Sequence, residues 1–147
     1  MGYNFRFAKI LSLKESEKDK AFSEYNEALS KFEQVAERLY HSLKQKEDLE
    51  EIHKKKLQSG LSIDEIRHYQ VFLGNLERTI HHYQQLVIQA RRQLELKQAK
   101  LAELNIEVKK YEKMKEKYNL AYVQAVKSEE NKFIDEISIQ QYVNRGK

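Results

Sequence analysis

The stretch Leu57-Gln58-Ser59-Gly60-Leu61-Ser62-Ile63-Asp64-Glu65-Ile66 decides the fold, because one helix stops and another starts inside it. Gly60 can take the left-handed conformation that terminates a helix. Ser62 and Glu65 stand at the spacing of a capping box, in which the Ser62 hydroxyl accepts from the Glu65 amide and the Glu65 carboxylate reaches back. Leu61 before the cap and Ile66 four residues after it can close as a hydrophobic staple. A Ser-x-x-Glu match arises by chance in a Glu-rich chain. Three agreeing signals in so short a segment make this one a turn.

On its carboxyl side one period dominates. Ile66, Tyr69, Leu73, Leu76, Ile80, Tyr83, Val87, Ala90, Leu94, Lys97, Leu101, Leu104, Val108, Tyr111, Lys115, Tyr118, Tyr122 and Ala125 follow a strict 3-4 spacing. Only the two lysines are neither apolar nor tyrosine. An amphipathic helix of that length cannot close on itself and must lay its seam along another helix. On the amino side Phe22, Tyr25, Leu29, Phe32, Ala36, Leu39 and Leu43 repeat the spacing. The register then fails at Lys46 and Glu50, and Leu49, Ile52 and Leu57 resume out of phase, which reads as a stutter. The expected fold is all-α: an antiparallel two-helix coiled-coil hairpin forming a single domain over 1–147. Helix 1 spans about 5–58, the turn 59–62 and helix 2 about 63–128, with a less regular tail over 129–147. Residue i of the first helix should face about 121 − i of the second.

Composition agrees. The chain has 147 residues, no Cys, no Pro and only 4 Gly, so disulfides and thiolate metal sites are excluded and scarce turns argue against a strand-and-turn architecture. Charged residues reach 34% and mean hydropathy is −0.83, against a compact globular core. The 40% apolar content is too high for a disordered polyelectrolyte. The longest apolar run, Leu120 to Val123, is far short of the ~20 residues of a membrane span. The opening residues have neither a signal-peptide core nor a myristoylation pattern, so a cytoplasmic chain is expected.

Catalysis finds no support. Glu77 and His81 sit one helical turn apart, a spacing that can ligate a metal, but no third ligand is evident at that height. A surface histidine beside a glutamate is the plainer reading. With no phosphate loop, no nucleophile triad and no pocket, the chain reads as a non-enzyme without cofactor or metal. More informative are apolar residues that a hairpin cannot use. Val71 and Phe72 fall outside the helix 2 seam, beside Leu73 and Leu76, opposite a helix 1 stretch that is mostly Lys and Glu. Such a surplus marks either a docking patch or a locally widened core. At the amino terminus Phe5, Phe7, Ile10, Leu11 and Leu13 cover an arc of roughly 240°, more than one partner helix can bury.

Three segments carry a resemblance: Phe5-Arg6-Phe7-Ala8-Lys9-Ile10-Leu11-Ser12-Leu13-Lys14, the turn Leu57 to Ser62, and Tyr69-Gln70-Val71-Phe72-Leu73-Gly74-Asn75-Leu76-Glu77-Arg78-Thr79-Ile80. The chain resembles the flagellar FliJ family over nearly its whole length, with the turn at the family's position. The resemblance implies a hairpin similar to the rotor stalk of F-type ATPases, working as a central stalk in flagellar type III protein export. Its free helix ends, here Phe5, Phe7, Ile10, Leu11 and Leu13, would enter the export ATPase hexamer and promote its ring form. A face including Val71, Phe72, Leu76 and Tyr83 would contact the cytoplasmic domain of the export gate, and export chaperones could be escorted. Phe72 and Leu76 agree with that face. Thr79 stands where the family has a small apolar residue and Tyr83 where it has histidine, and Arg38, Ser42, Gln45 and Leu49 on helix 1 do not match. The implied location is peripheral, at the inner face of the cell membrane beneath the flagellar basal body, without membrane insertion.

The same physics would serve the stalk of a virulence-type injectisome or a self-associating scaffold. A coiled-coil arm for nucleic acid would need its cations gathered into one stripe. Here Lys54-Lys55-Lys56, Arg91-Arg92 and Lys109-Lys110 are scattered and interleaved with acids, so no nucleic-acid partner is expected.

Overall fold

The computed structural model describes residues 6–146. Two helices account for nearly all of them: α1, Ala8–Ser59, and α2, Ile63–Arg145, packed against each other as an antiparallel hairpin. The fold is all-α, an antiparallel two-helix coiled coil. Between the helices Gly60 has φ 93°, the left-handed region where a side chain would be strained. Ser62 Oγ accepts from the Glu65 amide at 3.2 Å, and the Ile66 amide donates to the Ser62 carbonyl at 3.1 Å as the first bond of α2. Asp64 and Glu65 place negative charge in the first turn, where the amide dipoles favour it. Among the described residues the return bond from the Ser62 amide to the Glu65 carboxylate is not formed, so the box closes on one side only.

The helices divide into two compact units, one of Lys20–Ala102 and one that joins α1 up to Asp19 with α2 from Glu103 onward. In the first, the covered face of α2 is the seam expected from the sequence, Ile66 through Leu101, with Leu76 and Ile80 buried. The covered face of α1 differs from the expected one. It runs Ala21, Tyr25, Ala28, Phe32, Val35, Leu39, Ser42, Lys46, Leu49 and His53, in unbroken 3-4 order. Ala21, Ala28 and Ser42 are buried, whereas Phe22 is 54% and Leu43 44% exposed. Small side chains at these positions leave room for the tyrosines, leucines and isoleucines of α2, so close packing selects them over their larger neighbours one step around the helix.

The stutter is likewise absent. Lys46 keeps its stem in the seam and carries its ammonium out to Glu77 of α2 at 3.6 Å and to Glu50 at 3.8 Å. One turn further, the His53 ring stacks on Tyr69 with centroids 3.5 Å apart and planes 4° from parallel. A lysine and a histidine thus occupy seam positions because each finds a partner on the opposite helix. Lys97 of α2 does the same, its ammonium 3.2 Å from Glu24 of α1.

In the second unit Leu11, Leu104 and Val108 are the buried apolar residues. The Lys14 ammonium lies 2.9 Å from Glu107 and 3.5 Å from Glu17. Met114 is half-buried where the 3-4 reading has Lys115, which is exposed. α2 then continues as helix through 129–145, where the sequence suggests a less regular tail. No proline and no glycine interrupt it between Gly74 and Gly146, so nothing in the chain breaks the helix. The Gly146 amide closes it on the carbonyls of Tyr142 and Val143.

Candidate functional site

At the turn, the Ser62 cap fixes the start of α2, and the His53–Tyr69 stack and the Lys46 bridge to Glu77 tie the two helices together. Against that fixed frame Phe72 is 57% and Val71 67% exposed. Both line an open groove of about 700 Å³, whose α1 wall includes Leu49 and Ile52. The apolar surplus legible in the sequence is therefore a surface groove and not a widened core. Leu76 is buried in the seam and Tyr83 is half-buried, and neither lines the groove. Of the four residues of the expected gate-facing patch, the structure gathers Val71 and Phe72 in one groove and puts Leu76 in the packing between helices.

Several groove residues were not among the site residues expected from the sequence: Ile52, His53, Lys56, Arg67 and His68. The antiparallel pairing held the signal for some of them. Residue 53 faces about 68 on the 121 − i line, so His53, His68 and Tyr69 belong at one level.

The second unit separates the amino-terminal cluster into two sets. Leu11 is buried, and the half-buried Phe7 has its ring centroid 6.2 Å from that of Tyr111, with the Arg6 guanidinium 5.6 Å from the Phe7 centroid. Ile10 and Leu13 are exposed. Leu11 thus belongs to the packing between helices, while Ile10 and Leu13 lie outside it. Phe5 lies outside the described residues. Along the carboxyl-terminal part of α2, Leu120, Val123, Phe133, Ile134 and Ile139 are each at least half exposed.

Electrostatics at the ion pairs follow their geometry. The Glu107 carboxylate against its ammonium, helped by Glu17, holds Lys14 above the ordinary lysine pKa. The Lys97 ammonium holds the Glu24 carboxyl below the usual carboxylate range. Among the described residues no group of three or more His, Cys, Asp or Glu side chains could hold a metal ion. No helix among them is long and apolar enough to cross a membrane.

Fold and surface together define a helical hairpin with a capped turn, an ion-paired seam and apolar side chains left for partners. The family model described as "Flagellar FliJ protein" matches residues 3–147, and the chain belongs to that family. It is 52% identical over 146 residues to the Flagellar FliJ protein of Bacillus subtilis (strain 168), covering 99% of each chain. No solved structure matches it. Family membership supports a component of the flagellar export apparatus.

Proposed function

We propose that the chain is a non-enzymatic central stalk of the flagellar type III export apparatus. One end of the hairpin, through Ile10 and Leu13 together with Phe5 and Phe7, engages the hexameric export ATPase and favours its ring form. The turn end contacts the cytoplasmic domain of the export gate through Phe72 and Val71, and export chaperones are further partners of the hairpin. The protein works in the cytoplasm, held peripherally at the inner face of the membrane by these partners.

The observation that supports the reading best is Phe72, a large aromatic 57% exposed beside the buried seam residue Leu76. An exposed aromatic in a largely apolar groove has the character of a binding hot spot, and truncating one costs roughly 2–4 kcal/mol of association. The test is Phe72→Ala in the full chain, with gate-domain binding, ATPase stimulation and swimming motility measured together. Gate binding and motility should fall sharply while helix content and ATPase stimulation hold. A fully motile Phe72→Ala strain would remove the gate from this reading, and a chain that fails to bind the ATPase hexamer would remove the stalk.

A further inference from the structure

The groove at the turn is lined by large apolar side chains and by an excess of basic ones. Leu49 and Ile52 come from α1, Val71 and Phe72 from α2, and Ile52 is 52% exposed like its neighbours across the groove. Both helices thus offer large apolar side chains to one side, which is the arrangement that receives a third helix. Its α2 wall runs from Glu65 to Asn75, about 15 Å at the helical rise, the length of about three turns. The same groove is lined by Lys56, Arg67 and two imidazoles, His53 and His68, against the single carboxylate of Glu65.

Neither of the two cations that line the groove is held in an ion pair. Lys14, Lys46, Lys55 and Lys97 each lie within 4.0 Å of a carboxylate. Among the described residues Lys56 and Arg67 have none within that distance. Two cations with no carboxylate at ion-pair distance thus share the groove with exposed apolar side chains. That is the complement of an amphipathic helix whose apolar anchors are flanked by acidic residues.

We infer that the turn groove seats such a helix: a segment of about three turns with large apolar anchors and flanking carboxylates. The inference deepens the gate reading and rests on it only for which protein carries the segment. The apolar side chains supply the binding, while Lys56 and Arg67 select the partner's charge and speed encounter. Lys56 and Arg67 are exposed, so the contribution of their ion pairs should weaken with salt while the apolar contribution persists.

Two synthetic amphipathic peptides of about 18 residues, long enough to sample helix, decide the chemistry. They share Leu and Phe anchors and differ only in carrying Glu or Gln on the flanks. Against the full wild-type chain, fluorescence anisotropy should show about tenfold tighter binding of the Glu peptide at low ionic strength, shrinking as salt rises. Lys56→Gln with Arg67→Gln should abolish the preference and leave the thermal transition unchanged, because neither cation supports the fold. Phe72→Ala should weaken both peptides alike. Equal binding of the two peptides by the wild-type chain, binding of neither, or a preference that survives the double substitution overturns the inference. The purified cytoplasmic domain of the export gate, titrated in parallel against wild type and Phe72→Ala, tests the gate reading separately. A chain that selects the Glu peptide but ignores the gate domain keeps the groove's chemistry and loses that partner.

Discussion

The phase of the α1 seam can be tested by a matched pair of substitutions at adjacent positions, Phe22→Ala and Ala21→Leu. Full burial of a phenylalanine stabilises by roughly 1.5–3 kcal/mol. Phe22 is 54% exposed, so a little under half of that, roughly 0.7–1.4 kcal/mol, is at stake. Alanine recovers about 0.5 kcal/mol as the better helix former, leaving a net loss under about 1 kcal/mol. Ala21 is 3% exposed, and leucine there adds three carbons where α2 already fills the space, at a cost of about 1–3 kcal/mol. Urea unfolding of the full chain followed by far-ultraviolet circular dichroism separates the two. With a slope of about 2 kcal/mol per molar, Phe22→Ala should lower the midpoint by less than about 0.5 M and Ala21→Leu by about 0.5–1.5 M. Had Phe22 been the seam residue, its truncation would cost roughly 3–5 kcal/mol and Ala21→Leu would be nearly neutral. That reversed order would refute the packing described here.

The amino-terminal end gives a second pair: Leu11→Ala should cost about 2–4 kcal/mol, while Leu13→Ala, at a residue 57% exposed, should barely move the thermal midpoint. At the turn, Ser62→Ala should lose roughly 0.5–2 kcal/mol with the cap, read as a lower thermal midpoint. Gly60→Ala should lose about 1 kcal/mol from backbone strain alone, since nothing lies within 4 Å of the added methyl; a more stable variant would exclude the left-handed cap. Acid should act through Glu24, whose pKa is lower folded than unfolded. Its contribution is present above the ordinary carboxylate pKa and lost as pH falls through the lowered value. Wild type and Glu24→Gln should therefore differ in thermal midpoint at neutral pH and converge in acid, and a gap that persists at pH 2 would show that the ion pair is not its source.

Much of this molecule is legible in its residues alone. The hairpin follows from Gly60 and the Ser62 cap, because a helix stop and a helix start are local chemistry carried by adjacent side chains. The α2 seam from Ile66 to Leu101 follows from its period, since nearly every position in it is apolar and no competing phase exists. The exposure of Phe72 follows from the same count, as a residue outside a seam that is already filled.

The α1 seam is different. Two phases one residue apart share Tyr25, Phe32, Leu39 and Lys46, and hydrophobicity favours the one with Phe22 and Leu43. Tertiary packing decides for Ala21, Ala28 and Ser42 instead, because the volume available depends on the large side chains of α2, which no property of α1 reports. The same holds for the polar seam residues: Lys46, His53 and Lys97 look like interruptions until Glu77, Tyr69 and Glu24 on the other helix give each a partner. Local chemistry determines where helices begin and end. Which face each one buries, and which cations around the groove are left out of ion pairs, is a property of the pair of helices and is settled only when the two surfaces meet.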